Sequence, residues 1–258
     1  MKFLELVGKI WTKYGSMFID GIGNTLIISI LGTILGLVIG VIIGIIRTIP
    51  DSKNKVLYVL QKINNFIISA YIEIFRGTPM MVQAMVIYWG YAFATGGKRL
   101  PLMASAILIV SINTGAYISE IVRGGIISID KGQFEGAHSV GMSHFQTMML
   151  VIMPQVLRNI LPAVSNEFVI NIKDTSVLNV IGVTELYYQS YTINSITYET
   201  FATYAITCVI YFILTFAVTR ILRFAERKLE GKGNYTIFGS QSDFETEIHV
   251  RNEEKAHG

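Results

Sequence analysis

The chain has 258 residues, of which 52% are hydrophobic and 15% charged, with a net charge of +3 and a mean hydropathy of +0.51. Soluble domains carry charge on nearer a quarter of their residues, so an ordinary soluble domain is excluded, and the small net charge gives no case for nucleic-acid binding. The single Cys208 excludes an intramolecular disulfide and, in its apolar run, reads as a small packing residue.

Residues 1–20 carry Phe3, Leu6, Val7, Ile10, Tyr14 and Phe18 at helical spacing with lysines elsewhere. This predicts an amphipathic helix on a membrane surface; the apolar core is too broken for a cleavable signal peptide. Residues 21–46 have no charge and extend roughly 39 Å as a helix, enough to cross a bilayer. Gly32, Gly36, Gly40 and Gly44 recur every fourth residue, a smooth face for close helix contact.

After a polar loop, residues 56–95 are apolar but too long for one straight crossing. Gly77 and Pro79 interrupt them, with Thr78 placed to cap the next segment and Pro79 suited to its first turn. A break at membrane depth is tolerated where it lines a cavity or is buried in protein. Residues 100–119 form the next uncharged run, and Asn113, Tyr117 and Glu120 share one helical face.

Residues 136–157 are also uncharged and long enough to cross, yet hold His138, Ser139, Ser143, His144, Gln146, Pro154 and Gln155, which lipid would leave poorly satisfied. They are therefore read as a cytoplasmic docking segment (about 130–150). A short helix is expected from Glu135, a turn at Gly141, and Pro154 and Pro162 are expected to prevent one long helix. A weaker span at 157–172 carries Arg158 and Glu167. An outer loop with a short helix and the interfacial tyrosines Tyr187, Tyr188 and Tyr191 follows, and the last span is 200–219.

The expected fold is all-α: a polytopic membrane protein with five transmembrane helices and a cytoplasmic coupling helix. Its parts are a surface helix (1–20), a transmembrane domain (21–225) and a cytoplasmic tail (226–258), polar and expected to be disordered. Arg47, Lys53, Lys55, Arg123, Lys131, Arg158 and the cluster from Arg220 to Lys232 outweigh Lys98, Arg99 and the surface-helix lysines. The amino terminus is thus expected outside and the carboxy terminus inside. Gly96-Gly97-Lys98-Arg99 lacks the upstream glycine and the Ser or Thr of a phosphate-binding loop, and no metal-ligand spacing or nucleophile–base pair appears. No catalytic or metal residue is assigned, and any ATP must be bound by another polypeptide.

Glu135-Gly136-Ala137, Gly141 and Leu161-Pro162 resemble the EAA loop of ABC importer permeases, with Gly136 in place of the middle alanine. Phe75-Arg76-Gly77-Thr78-Pro79, the stretch from Gly115 to Gly125, Lys131-Gly132-Gln133 and Lys173-Asp174-Thr175-Ser176 are similar to polar amino acid importer permeases of the histidine, glutamine, arginine and cystine type. The resemblance covers roughly residues 22–224. It implies the type I ABC importer permease fold in a prokaryotic cell membrane, and pairing with an identical or homologous second permease subunit. It also implies a cytoplasmic ABC ATPase dimer carrying Mg-ATP, an external amino-acid-binding protein, and no cofactor in this chain.

An amino acid needs an anion site and a cation site in one water-accessible cavity. Arg76 and the N–H groups after Thr78 suit the carboxylate. Glu73 or Glu120 suits the ammonium, with Gln83, Asn113 and Tyr117 as neutral partners. Glu73–Arg76 and Glu120–Arg123 have the spacing of structural ion pairs. Glu135, Gly136, Ala137 and Gly141 are the expected ATPase-coupling residues. The rival readings are an ion-coupled secondary transporter or channel without an ATPase, and, with little support, a membrane-embedded enzyme.

Overall fold

The computed structural model describes residues 2–229, and among them every regular element is helical. The order is α1 (Phe3–Ile46), α2 (Lys55–Gly77), α3 (Met80–Ala94), α4 (Leu102–Ile127), α5 (Lys131–Ser139), α6 (His144–Gln146), a π-helical turn (Thr147–Ile152), α7 (Met153–Asp174), a 3₁₀ stretch (Thr175–Ile181), α8 (Leu186–Thr197) and α9 (Thr200–Leu229). The expectation of a disordered tail falls on residues from 230 onward, outside the described part.

No break separates a surface helix from the first span. α1 is a single helix of 44 residues, roughly 66 Å long. Nothing near Asp20-Gly21 interrupts the hydrogen-bond ladder, and the apolar stripe of the first half meets protein. Ile10 and Phe18 are buried in one cluster with Leu186, Ile193, Ala202 and Ile206.

The glycine face of α1 seats α4. A Cβ at Gly32 would lie 2.5 Å from Val110, at Gly36 2.8 Å from Thr114, at Gly40 2.5 Å from Ile118 and at Gly44 2.6 Å from Val122. Each glycine is a hole for one side chain, and bulk at any of them forces the helices apart. Holes and knobs advance four residues together, so α1 and α4 run parallel. The chain between them must therefore return across the bundle once, and α2 and α3 make that crossing jointly. Among the described residues, four helices are long and apolar enough to span a membrane alone: α1, α4, the column from His144 to Ile181, and α9; α3 is a shorter apolar helix.

α7 runs antiparallel to α4, with Asn171 beside Thr114 at one end and Ile160 and Val156 against Gly125 at the other. The Asn171 amide donates to Thr33 Oγ1 at 2.8 Å and Thr114 Oγ1 at 3.0 Å. All three residues are buried, so this polar knot fixes the depth of α1, α4 and α7 against one another.

Pro154 and Pro162 do not stop the helical column, contrary to expectation. Pro154 occupies the first turn of α7 directly after the π turn. The wider ladder there makes room for the ring and for the missing N–H. Pro162 lies inside α7, where buried Val156, Ile160 and Ser165 hold both flanks. Met148, Ile152 and Met153 are buried against Ile118, Val122 and Ile126 of α4. The segment expected to dock consequently ends near Ser143, and the helical column expected from residue 157 begins well before it. α8 is the expected short helix; buried Glu185 caps it by accepting the N–H groups of Tyr187 at 2.9 Å and Tyr188 at 2.7 Å, and takes the Tyr211 hydroxyl at 3.0 Å. Desolvation pushes the Glu185 carboxyl above the usual range. Cys208, expected to be packed, is exposed on α9.

Candidate functional site

The break between α2 and α3 lies level with Asn113, near the middle of α4. A broken helix frees backbone carbonyls that apolar surroundings cannot solvate. Gln83, buried in the first turn of α3, solves this. Its Nε2 lies 2.9 Å from the Phe75 carbonyl, the Thr78 carbonyl and Thr78 Oγ1. Its Oε1 accepts from Asn113 Nδ2 at 2.9 Å, and that amide also reaches the Phe75 carbonyl at 3.4 Å. Gln83 and Asn113, expected as neutral substrate partners, thus latch the break to α4. The Thr78 hydroxyl donates back to the Ile74 carbonyl at 2.7 Å, so it does not cap α3; Pro79 is the residue at the cap position.

Replacing Gln83 by leucine removes the donor while keeping the volume. Each part-buried hydrogen bond lost costs about 0.5–1.5 kcal/mol, so thermal unfolding of purified Gln83→Leu in detergent should occur below wild type. An unchanged midpoint contradicts the latch.

Arg76, Glu73 and Thr78 are exposed around this break. The Arg76 guanidinium lies 5.4 Å from the Tyr117 ring centroid, a cation–π contact with α4. Glu73 and Arg76 form no ion pair, because the pairs present among the described residues are Arg47–Glu120, Lys62–Asp51 and Arg123–Glu120. Arg76 interacts electrostatically with Glu167 of α7, which also feels Asp174. The sequence marked Glu167 only as weakening a span, although an ionisable residue inside a span is itself the signal of a functional position.

Glu120 belongs elsewhere. Arg47, just past α1, takes one carboxylate oxygen, and Arg123 takes the other at 2.9 and 3.2 Å. Both oxygens are already held by guanidinium groups, so Glu120 forms a structural bridge, and an ammonium group would compete with two arginines for it. The bridge ties the end of α1 to α4, which continues into the segment expected to dock.

In that segment, α5 begins at Lys131, four residues ahead of the expected start, because Asp130 caps it by accepting the Gly132 N–H at 2.7 Å. It ends as a Schellman turn: Met142 N–H donates to the Ala137 carbonyl at 3.1 Å and Gly141 N–H to the His138 carbonyl at 3.0 Å. Gly141 has φ +84, a conformation that favours glycine. Ala137 is buried and Phe134 packs on the α4–α7 core, leaving Glu135 and Gly136 exposed. The helix is anchored on one face and presents on the other an acid in no ion pair among the described residues.

The model of the family "Binding-protein-dependent transport system inner membrane component" matches residues 58–231. The chain belongs to that family. As a transport-system inner membrane component, it is 38% identical over 214 residues to the glutamine transport system permease protein of Escherichia coli strain K12, covering 83% of this chain and 93% of the relative. It is 35% identical over 160 residues to the arginine transport system permease protein of Bacillus subtilis strain 168, covering 62% of this chain and 73% of the relative. A crystal structure of an amino acid ABC transporter with histidines matches with a TM-score of 0.73 at 36% identity, covering 88% of this chain and 99% of that one. The match runs the length of the helical bundle, so this inner membrane component has the all-α permease fold of ABC transporters.

Proposed function

We propose that the chain is the permease subunit of an ATP-driven importer for a polar or charged amino acid. It receives substrate from an external binding protein, pairs with a second permease subunit, and is driven through α5 by cytoplasmic ATPase subunits that bind Mg-ATP. One observation carries the amino acid assignment: Arg76 stands exposed at a helix break in mid-bundle, outside any ion pair among the described residues, with the acidic Glu167 in its field. A cation and an acid facing one space are what a zwitterion requires. The names of the glutamine and arginine permeases support the same substrate class.

The proposed orientation has the amino terminus outside and the carboxy terminus inside. The parallel course of α1 and α4 puts the loop bearing Lys53 and Lys55 on the same side as Lys131 and the docking helix. A basic cytoplasmic side fits this arrangement.

Uptake into proteoliposomes tests the assignment. Transport of a labelled polar amino acid should require ATP, the ATPase subunits and the binding protein together. Arg76→Gln should lower it at least about tenfold, since hydrogen bonds to charged groups contribute roughly 1.5–3 kcal/mol. Full uptake by the chain alone under an ion gradient would instead favour a secondary transporter.

A further inference from the structure

A groove of about 720 Å³ opens between the end of α1, the 47–54 loop, the start of α2 and the turn after α5. Ile46, Ile49, Leu57 and Leu60 give it an apolar wall, and His138 and His144 close one side with ring centroids 6.5 Å apart. The loop bounding it is held in shape. Gln61 Oε1 accepts the Ser52 N–H at 2.8 Å, and its amide donates to the Pro50 carbonyl at 3.2 Å.

Charge and apolar surface meet at this groove. Its flanking segment carries Arg47, Lys53, Lys55 and Lys62 against Asp51. Arg47 is held by Glu120, and Lys62 faces Asp51 at 3.5 Å. Lys53 and Lys55, lying between groove-lining Ser52 and Leu57, are exposed and in no ion pair among the described residues. From the same level, Val56, Leu60, Ile63 and Ile67 form an exposed apolar stripe along one face of α2.

We propose that this groove binds an anionic phospholipid of the inner leaflet, its headgroup beside Lys53 and Lys55 and an acyl chain along the α2 stripe. A soluble anion makes no use of the apolar wall, and a zwitterionic lipid has no net charge to match the two lysines. Basic pockets between helices on the cytoplasmic side suit anionic headgroups. Because His138 belongs to α5 and His144 to α6, a bound lipid bridges α2 to the docking segment, and its occupancy bears on how firmly that segment is held. The inner-leaflet assignment rests on reading α5 as the ATPase docking helix; the binding itself does not.

The test is native mass spectrometry of the purified full-length chain with phosphatidylglycerol or phosphatidylcholine, without ATPase. Retention of phosphatidylglycerol should exceed that of phosphatidylcholine roughly ten- to thirty-fold, the preference expected of two lysines near a headgroup. The double variant Lys53→Ser/Lys55→Ser changes only exposed side chains and should bring the ratio near one. Leu60→Trp, which fills the groove, should lower retention of both lipids with the melting temperature unchanged. Equal retention of the two lipids by wild type, an undiminished preference in the lysine variant, or a second protein copy that excludes both lipids overturns the proposal. Any of these leaves the importer assignment standing, because no transport or ATP hydrolysis enters the readout.

Discussion

Gly40→Leu should leave almost no folded protein. A Cβ at position 40 would stand 2.5 Å from Ile118 Cγ2, 2.7 Å from Ile118 Cβ and 2.9 Å from the Ser119 amide nitrogen. Ile118 is fully buried and Ser119 presents backbone there, so neither can yield locally. Overpacking a core costs about 1–3 kcal/mol when side chains can shift, and more when backbones must separate. Displacing α1 would also open the Thr33–Asn171–Thr114 knot and the Arg47–Glu120 bridge. The result should be aggregation on size-exclusion chromatography or a loss of the melting transition. Gly23 is the control: nothing lies within 4 Å of a Cβ there, and Gly23→Ala should be neutral or gain up to about 1 kcal/mol of helix propensity. A well-folded Gly40→Leu would mean that the close approach of α1 and α4 is not what holds the bundle.

Glu135→Lys should abolish substrate-stimulated ATP hydrolysis in the assembled complex while leaving insertion and melting temperature unchanged. Glu135 is exposed on α5 and has no ion pair among the described residues, so the fold of those residues does not depend on its charge. Reversing one member of a docked charge pair costs about 2–5 kcal/mol or more, enough to uncouple the ATPase. Gly136→Ala separates charge from shape. A Cβ at Gly136 meets nothing within 4 Å, and alanine favours the helix by up to about 1 kcal/mol, so coupling should be preserved or improved. Normal stimulation in Glu135→Lys would assign docking to other residues of the segment.

Features that repeat locally were legible in the sequence. The glycines of α1 recur every fourth residue in an uncharged run, and that alone marks a packing face; its partner, α4, could not be read because nothing local ties residue 40 to residue 118. The break at Gly77–Pro79 and the turn at Gly141 were visible because glycine and proline act on their own backbone. The Gln83–Asn113 latch and the Arg47–Glu120 bridge were not, since each joins residues far apart in sequence that only helix packing brings together. Pro154 misled because its effect depends on the turn before it: a π turn admits a proline that a regular α turn would not. Glu120 was half legible: its i, i+3 spacing marked the pair with Arg123, while the second arginine, arriving from the end of α1, could not be read locally.

The position of α5 can be tested without transport. In a Cys208→Ser background, Gly136→Cys, where a Cβ meets nothing within 4 Å, gives a single thiol for a membrane-impermeant maleimide in sealed vesicles. Labelling should occur only from the cytoplasmic side, and added ATPase subunits should protect the thiol. Labelling from the outside, or labelling that the ATPase leaves unchanged, would contradict α5 as the docking helix.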